Sequence, residues 1–327
     1  MTKKVVFLGT GGTIAGKALS ATDNVGYRAG EVSLADLLDG NPSLTSVLLG
    51  FEVEAEQVAQ IDSKDMGWSE WQALAARVRH HLSDTSVRAV VITHGTDTLE
   101  ETAYFLSRVL PSDLLLQKAV VLVCAMRPST AVFPDGPQNL RDAVLVAVDS
   151  VAHGVLVVCA GRVHAARFVQ KVHPYRLDAF SSGEKGPLAY VEEGSVRWGG
   201  DVPEGSVAPM DSRCLGVKPI QWPRVEILVN TVGIGGAAVR SICATPQGGD
   251  PAVRGIVVAG TGNGTVNNAM EDALRVAMSQ GVRVVRATRC PLGQIVYANN
   301  VQHEAPEYDG LSPVKTRIAL VLELLGH

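Results

Sequence analysis

Val5-Val6-Phe7-Leu8 runs straight into Gly9-Thr10-Gly11-Gly12-Thr13-Ile14-Ala15-Gly16. A short apolar run rich in β-branched residues suits a strand buried on both faces, as in a parallel sheet. The glycines that follow let the backbone approach a ligand closely and can turn N–H groups toward an anion. The same pairing recurs. Residues 89–92 lead into the polar stretch 93–98, residues 119–123 into 125–128, and residues 256–258 into 260–265. Further apolar runs lie at 154–158, 225–229 and 282–285.

Between many of these runs the period changes from strand to helix. Trp68, Trp71, Leu74, Ala75, Val78 and Leu82 fall on one helical face. Thr98-x-x-Glu101 has the form of a capping box ahead of Ala103, Leu106 and Leu110. Ser312-Pro313 opens a last helix with Val314, Ile318, Val321 and Leu325 on one side. Strand alternating with helix means an α/β fold. From Glu193 to Arg224 the period is lost in a stretch rich in Gly, Pro, Ser and Asp. It reads as a linker, 193–224. The expected architecture is a larger N-terminal domain, 1–192, with a parallel-type sheet flanked by helices, and a smaller C-terminal α/β domain, 225–327. In open α/β sheets ligands bind outside the carboxyl ends of the strands, which is where the polar loops fall.

Composition excludes several classes. Lys and Arg number 29 against 33 Asp and Glu, a net charge of −4, which argues against a nucleic-acid surface. The longest apolar stretch, 119–125, falls far short of the roughly 18 residues of a spanning helix, so no membrane partner is expected. Met1-Thr2-Lys3-Lys4 is basic, but residues 5–8 are too short for the apolar core of a signal peptide. Five widely spaced cysteines, none in Cys-x-x-Cys, read as reduced thiols and point to the cytoplasm.

A nucleotide reading of the first loop fails on two counts. Gly-x-Gly-x-x-Gly counted from Gly9 needs glycine where Ile14 stands, and the Gly-Lys-Ser/Thr ending of a phosphate loop is absent. No Gly-x-Ser-x-Gly elbow and no His-Glu-x-x-His helix occurs. His80 and His81, adjacent on a helix, read as a solvated pair. His164 and His173 read as loop residues, Cys159 as a buried thiol, and Trp68 and Trp71 as core. Nothing here calls for a metal or an organic cofactor.

The second polar loop, His94-Gly95-Thr96-Asp97-Thr98, gathers hydroxyls, a carboxylate and helix N-terminal N–H groups within five residues. Gly-Gly-Thr-Ile-Ala near the N-terminus, followed by Thr-His-Gly-Thr-Asp-Thr, resembles the two signatures of the bacterial L-asparaginase/glutaminase family. The resemblance continues through Glu100-Glu101-Thr102-Ala103-Tyr104-Phe105-Leu106, Ala125-Met126-Arg127-Pro128-Ser129-Thr130, Asp135-Gly136-Pro137, Gly186-Pro187-Leu188 and Arg289-x-Pro-x-Gly293, and so spans nearly the whole chain.

That resemblance implies an amide hydrolase that takes L-asparagine to L-aspartate and ammonia. It implies Thr13 as nucleophile, Tyr27 on a mobile loop supporting it, and a second group of Thr96, Asp97 and Lys171. It implies Ser63 on the substrate's α-carboxylate and the Ala125 carbonyl on its amide, with Gly12 and Gly95 lining the site. It implies a homo-oligomer, a dimer or a dimer of dimers, because the family completes each site across a subunit contact. Threonine needs a base to become a nucleophile, and fixed N–H donors must meet the developing oxyanion. Which threonine attacks first is left open by the residues; Thr13 is preferred.

Three positions depart from the family's pattern. Lys64 stands where Gln or Glu meets the substrate's α-ammonium. Thr265 and Asn300 align with the Asn or Ser and the Glu that the C-terminal domain of a neighbouring subunit offers. Two of these changes remove negative charge from the α-ammonium subsite. They leave open a related ω-amide hydrolase with a shifted substrate. A non-catalytic amino-acid-binding homologue is the rival from another class.

Overall fold

The computed structural model describes residues 2–200, 212–244, 251–297 and 308–326. Contacts divide the chain into two units, Met1–Leu215 and Gly216–His327.

The first unit is built on an eight-stranded sheet. Its strands are β1 (Lys3–Gly11), β2 (Phe51–Ile61), β3 (Val87–Thr93), β4 (Ala119–Val123), β5 (Gly154–Cys159), β6 (Arg162–Ala165), β9 (Ala189–Glu192) and β10 (Ser195–Trp198); β7 (Gln170–Lys171) and β8 (Phe180–Ser181) form a separate antiparallel ribbon. The order across the sheet is β10-β9-β6-β5-β4-β3-β1-β2. The five strands from β2 to β5 run parallel, and β6, β9 and β10 continue the sheet antiparallel. The interiors of β1, β3, β4 and β5 are buried on both faces, which is why they read as apolar runs.

One face packs against the helix Gly136–Val148, whose Leu140, Ala143, Val144 and Ala147 cluster with Val5, Phe7, Val91, Val121 and Val158. The helices Trp68–Ser83 and Leu99–Val109 are joined by Trp71, which stacks on Phe105 at 4.6 Å between ring centroids. Trp71 also donates to Thr102 Oγ1 at 2.9 Å. Fully burying a side chain of this size contributes about 1.5–3 kcal/mol.

The parallel strands lie in the order 2-1-3-4-5. The chain moves one way from β1 to β2 and the other way from β3 onward, so the topological switch point lies between β1 and β3. In open α/β sheets the crevice that takes ligands lies outside the strands' carboxyl ends at such a point. The loops that follow β1 and β3 carry Thr13 and Thr96.

The second unit holds a parallel sheet in the order β11-β12-β13, formed by Arg224–Val229, Val253–Gly260 and Arg283–Thr288. The helices Gly236–Cys243 and Asn268–Ser279 supply Val239, Met270 and Leu274 to a core with Ile256 and Val258. The last helix, Pro313–Gly326, starts at the Ser-Pro pair. Among the described residues no helix is long and apolar enough to cross a membrane.

Three local expectations are corrected. The aperiodic stretch from Glu193 begins with a hairpin: Glu193 and Gly194 both have positive φ, 47° and 78°, as a two-residue turn of the primed kind requires, and β10 pairs back on β9. His81 is buried, with its Nε2 3.3 Å from Glu56 Oε2, while His80 stays exposed. His164 lies in β6, not in a loop, buried with its Nδ1 2.8 Å from Ser182 Oγ.

Candidate active site

The loop after β1 depends on glycine. Gly11 and Gly12 hold φ of 96° and 80°, which L side chains rarely adopt. A Cβ on Gly12 would lie 2.2 Å from Gly95 Cα, so the loops after β1 and β3 touch backbone to backbone. Thr10 Oγ1 donates to Thr93 O at 2.9 Å and ties the two strand ends together. Residues Thr13–Ala15 then form one 3-10 turn, with Thr13 buried.

Thr13 Oγ1 and Tyr27 Oη share a hydrogen bond of 2.6 Å. Tyr27 comes from an excursion of the chain closed at its base by Lys17 and Arg28, which exchange N–H···O bonds of 2.9 Å. This excursion rests on the segment after β4. Ser129 Oγ donates to Gly16 O at 2.7 Å, and Thr130 Oγ1 accepts from Ala18 N–H at 2.9 Å. Burial raises the Tyr27 pKa above the ordinary phenol value; the Thr13 hydrogen bond opposes this, Asp62 and Asp97 add to it, and Lys64 subtracts.

The loop after β3 leads into the helix Leu99–Val109. Lys171, on β7, donates from Nζ to Thr96 Oγ1 at 2.8 Å and to Asp97 Oδ1 at 2.7 Å. Its side chain is 16% exposed, against 53% for Asp97, so the lysine reaches the loop from a mostly covered position. Ser63 opens the 3-10 turn Ser63–Asp65 after β2 and is buried. Its Oγ accepts from Asp97 N–H at 3.2 Å, and its carbonyl accepts from Thr98 Oγ1 at 2.7 Å. The Thr98 hydroxyl therefore does not cap its helix as the sequence pattern suggested; it locks the Ser63 turn onto the Asp97 loop.

His94 is fully buried, with Nδ1 2.7 Å from Gly95 O. Burial lowers its pKa to about 4, so the ring is neutral near pH 7 and the Nδ1–H donates to that carbonyl.

Ala125 follows β4 and is buried against Ile14 and Ala15. Sequence reasoning missed what fixes it there. Asp135 accepts from the N–H groups of Met126 and Arg127, both at 2.9 Å. Asn139 donates to Cys124 O at 2.9 Å and to Asp135 Oδ2 at 3.1 Å. The signal was the Asp135-Gly136-Pro137 block ahead of the helix, and only its resemblance was read.

The structure thus joins Thr13 with Tyr27, and Thr96 with Asp97 and Lys171, by direct hydrogen bonds. Gly12 and Gly95 lie on the Thr13 and Thr96 loops, and Ser63 and Ala125 on the loops after β2 and β4. Lys64 turns to its own neighbours: Nζ lies 2.7 Å from Asp62 Oδ2 and 3.1 Å from Asp65 Oδ2. Thr265 sits in the second unit, in the turn after β12, where its Oγ1 bonds to Thr261 O at 3.0 Å. Asn300 lies outside the described residues. Chemically, the first unit offers two hydroxyls, each with its own proton partner, on loops in contact at a strand switch point.

Known proteins resemble this chain over nearly its whole length. The family model described as "Asparaginase, N-terminal" matches residues 4–203, and "Glutaminase/Asparaginase C-terminal domain" matches residues 224–326. The chain is 34% identical to "L-asparaginase 2" of Bacillus subtilis, over 97% of this chain and 81% of that protein. It is 37% identical to "Glutaminase-asparaginase" of Pseudomonas fluorescens, over 98% and 86%. A crystal structure of a probable cytoplasmic L-asparaginase from Campylobacter jejuni superposes with a TM-score of 0.85 at 35% identity, covering 98% of this chain and 95% of that one.

Proposed function

The chain belongs to the glutaminase/asparaginase family, and on that footing we propose that it is an L-asparaginase, hydrolysing L-asparagine to L-aspartate and ammonia. The observation that carries the mechanism is the contact of two hydroxyl loops at Gly12 and Gly95, with Tyr27 serving Thr13 and Lys171 serving Thr96.

In the proposed first step Thr13 Oγ1 attacks the carboxamide carbon of the substrate. The Tyr27 phenol, its pKa raised by burial, is protonated near pH 7. It accepts the Thr13 proton as it passes its own toward the departing nitrogen, a relay across the 2.6 Å contact. Backbone N–H groups of the glycine-bearing turns meet the oxyanion. Ammonia leaves and Thr13 carries an ester. In the second step water attacks that ester. Lys171, ion-paired with Asp97, donates to Thr96 Oγ1, which leaves the Thr96 hydroxyl hydrogen to direct the water or the substrate. Ser63 Oγ and the Ala125 carbonyl take the substrate's α-carboxylate and amide.

Further parts of the account are proposals on the same basis. A division into two domains is supported by the two family matches, residues 4–203 and 224–326; the linker expected over 193–224 loses its start to β10 (Ser195–Trp198), which pairs into the first sheet. Thr265 and Asn300 serve a neighbouring subunit's site in a dimer or dimer of dimers; a monomer by light scattering would contradict this. Residence in the cytoplasm is supported by the cytoplasmic description of the structural neighbour and is tested by cell fractionation. The activity is tested by ammonia release from L-Asn, L-Gln, D-Asn and deaminated ω-amides. No release from any of them would overturn it.

A further inference from the structure

The turn after β2 carries a charge arrangement that the proposed reaction does not explain. Asp62 is the residue before the 3-10 turn Ser63–Asp65. Ser63 points inward and is buried, so the next residue on so tight a turn faces out, and the Lys64 side chain is 61% exposed. It does not extend freely. Its Nζ donates to Asp62 Oδ2 at 2.7 Å and to Asp65 Oδ2 at 3.1 Å, while its backbone N–H donates to Asp62 Oδ1 at 3.4 Å. Two carboxylates and one ammonium leave the turn with a net charge of about −1, where the lysine alone would place +1.

The turn abuts the catalytic loops. Ser63 Oγ accepts from Asp97 N–H, and Asp62, Asp97 and Lys64 all act electrostatically on the Tyr27 hydroxyl. A substrate seated between Thr13 and Asp97 therefore feels this turn. Exposed ion pairs of this kind add little to stability. Their consequence is electrostatic, at the site beside them.

We propose that Asp62 and Asp65 form a clamp on Lys64 that determines specificity: it holds the lysine's ammonium away from the substrate's α-ammonium and replaces local repulsion by attraction. The clamp lets a site that carries lysine at this position accept an α-amino ω-amide. The inference rests on the proposed L-asparagine hydrolysis and names how that site reads the α-amine.

The test is steady-state kinetics of the full-length enzyme with L-asparagine and with succinamate, the same ω-amide lacking the α-amine. Asp65→Asn and the double variant Asp62→Asn/Asp65→Asn remove carboxylate charge while keeping side-chain shape, and Asn caps a turn as Asp does. The KM for L-asparagine rises at least about fivefold in the single variant and further in the double, and the rise shrinks at about 0.5 M salt. The KM for succinamate stays within about twofold, because it carries no α-charge for Lys64 to repel. Adding Lys64→Gln to the double variant returns the L-asparagine KM toward that of the native enzyme. Parallel changes for both substrates, no change for L-asparagine, or no rescue by Lys64→Gln would each overturn the clamp. Failure of the native enzyme to release ammonia from L-asparagine would instead count against the functional reading beneath it.

Discussion

Gly12 and Gly95, 83 residues apart in sequence, meet backbone to backbone, and a single methyl group on Gly12 would come within 2.2 Å of Gly95 Cα. This contact is what sets the Thr13 and Thr96 loops side by side at the β1/β3 switch point. Gly12→Ala introduces that clash at a residue with φ of 80°, where a side chain alone costs about 1–2 kcal/mol. The expected result is a loss of turnover of two orders of magnitude or more with a lowered Tm, read by ammonia release and thermal unfolding. Unchanged turnover would show that the loops need not touch.

Tyr27→Phe removes the hydroxyl 2.6 Å from Thr13 Oγ1 and leaves the ring. Loss of a proton relay of this kind costs about 10²–10⁴-fold in kcat. Because burial raises the phenol's pKa above 10, the tyrosine keeps its proton through neutrality. Its contribution to folding stability is fully present below pH 10 and is lost as pH rises through the raised value. A pH series of unfolding on native protein and Tyr27→Phe checks this: the difference between them should be flat to about pH 9–10 and then change.

Lys171→Met breaks the bonds to Thr96 Oγ1 and Asp97 Oδ1 together. The ion pair itself adds at most about 1 kcal/mol, because Asp97 is half-exposed. The variant is therefore expected to fold with a Tm within a few degrees of native while kcat falls about 10²-fold or more. A fall in stability that matches the fall in rate would make the lysine structural.

The threonine loops were legible because β1 and β3 are buried on both faces and announce themselves as apolar runs ahead of Gly-Thr and Thr-Asp-Thr. β4 and β5, buried in the same way, were legible as the apolar runs at 119–123 and 154–158; the outer strands were not. β2 alternates Glu52, Glu54 and Glu56 with Val53 and Ala55, but as the edge strand it exposes both faces and offers no apolar run. β6 to β10 are only two to four residues each, too short for a period to show. In the site, Lys171 stands 74 residues beyond Asp97 and has no local signal; only the resemblance reached it. The Thr98 pattern reads as a cap, in which the hydroxyl would accept from a helix N–H, yet here the hydroxyl donates to Ser63 O, supplied by a strand end that the sequence did not reveal. The same blindness hid Asp62; the neighbouring Asp65 is readable in sequence as a neutraliser of Lys64, and the two together reverse the charge that Lys64 alone suggests.

Asp142, on the helix Gly136–Val148, is a buried carboxyl whose pKa is raised to about 6 by burial, against a smaller opposing effect of the Gln138 hydrogen bond at 2.7 Å. A carboxyl whose pKa is raised on folding contributes stability that is present below its unfolded value of 3.8 and lost as pH rises through about 6. Asp142→Asn keeps the shape and removes the charge. It is expected to stabilise the protein by on the order of 1–3 kcal/mol at pH 8 and by little at pH 4. Denaturant unfolding at the two pH values measures the difference; equal effects at both would contradict the raised pKa.

The most direct measurement of the account is ammonia release from L-asparagine by the native protein and by Thr13→Ala, with folding of the variant checked by thermal unfolding. The account predicts release by the native protein and a loss of at least about 10³-fold in Thr13→Ala at a native-like Tm. Native protein that releases no ammonia, or a Thr13→Ala variant that releases it at the native rate, would contradict it.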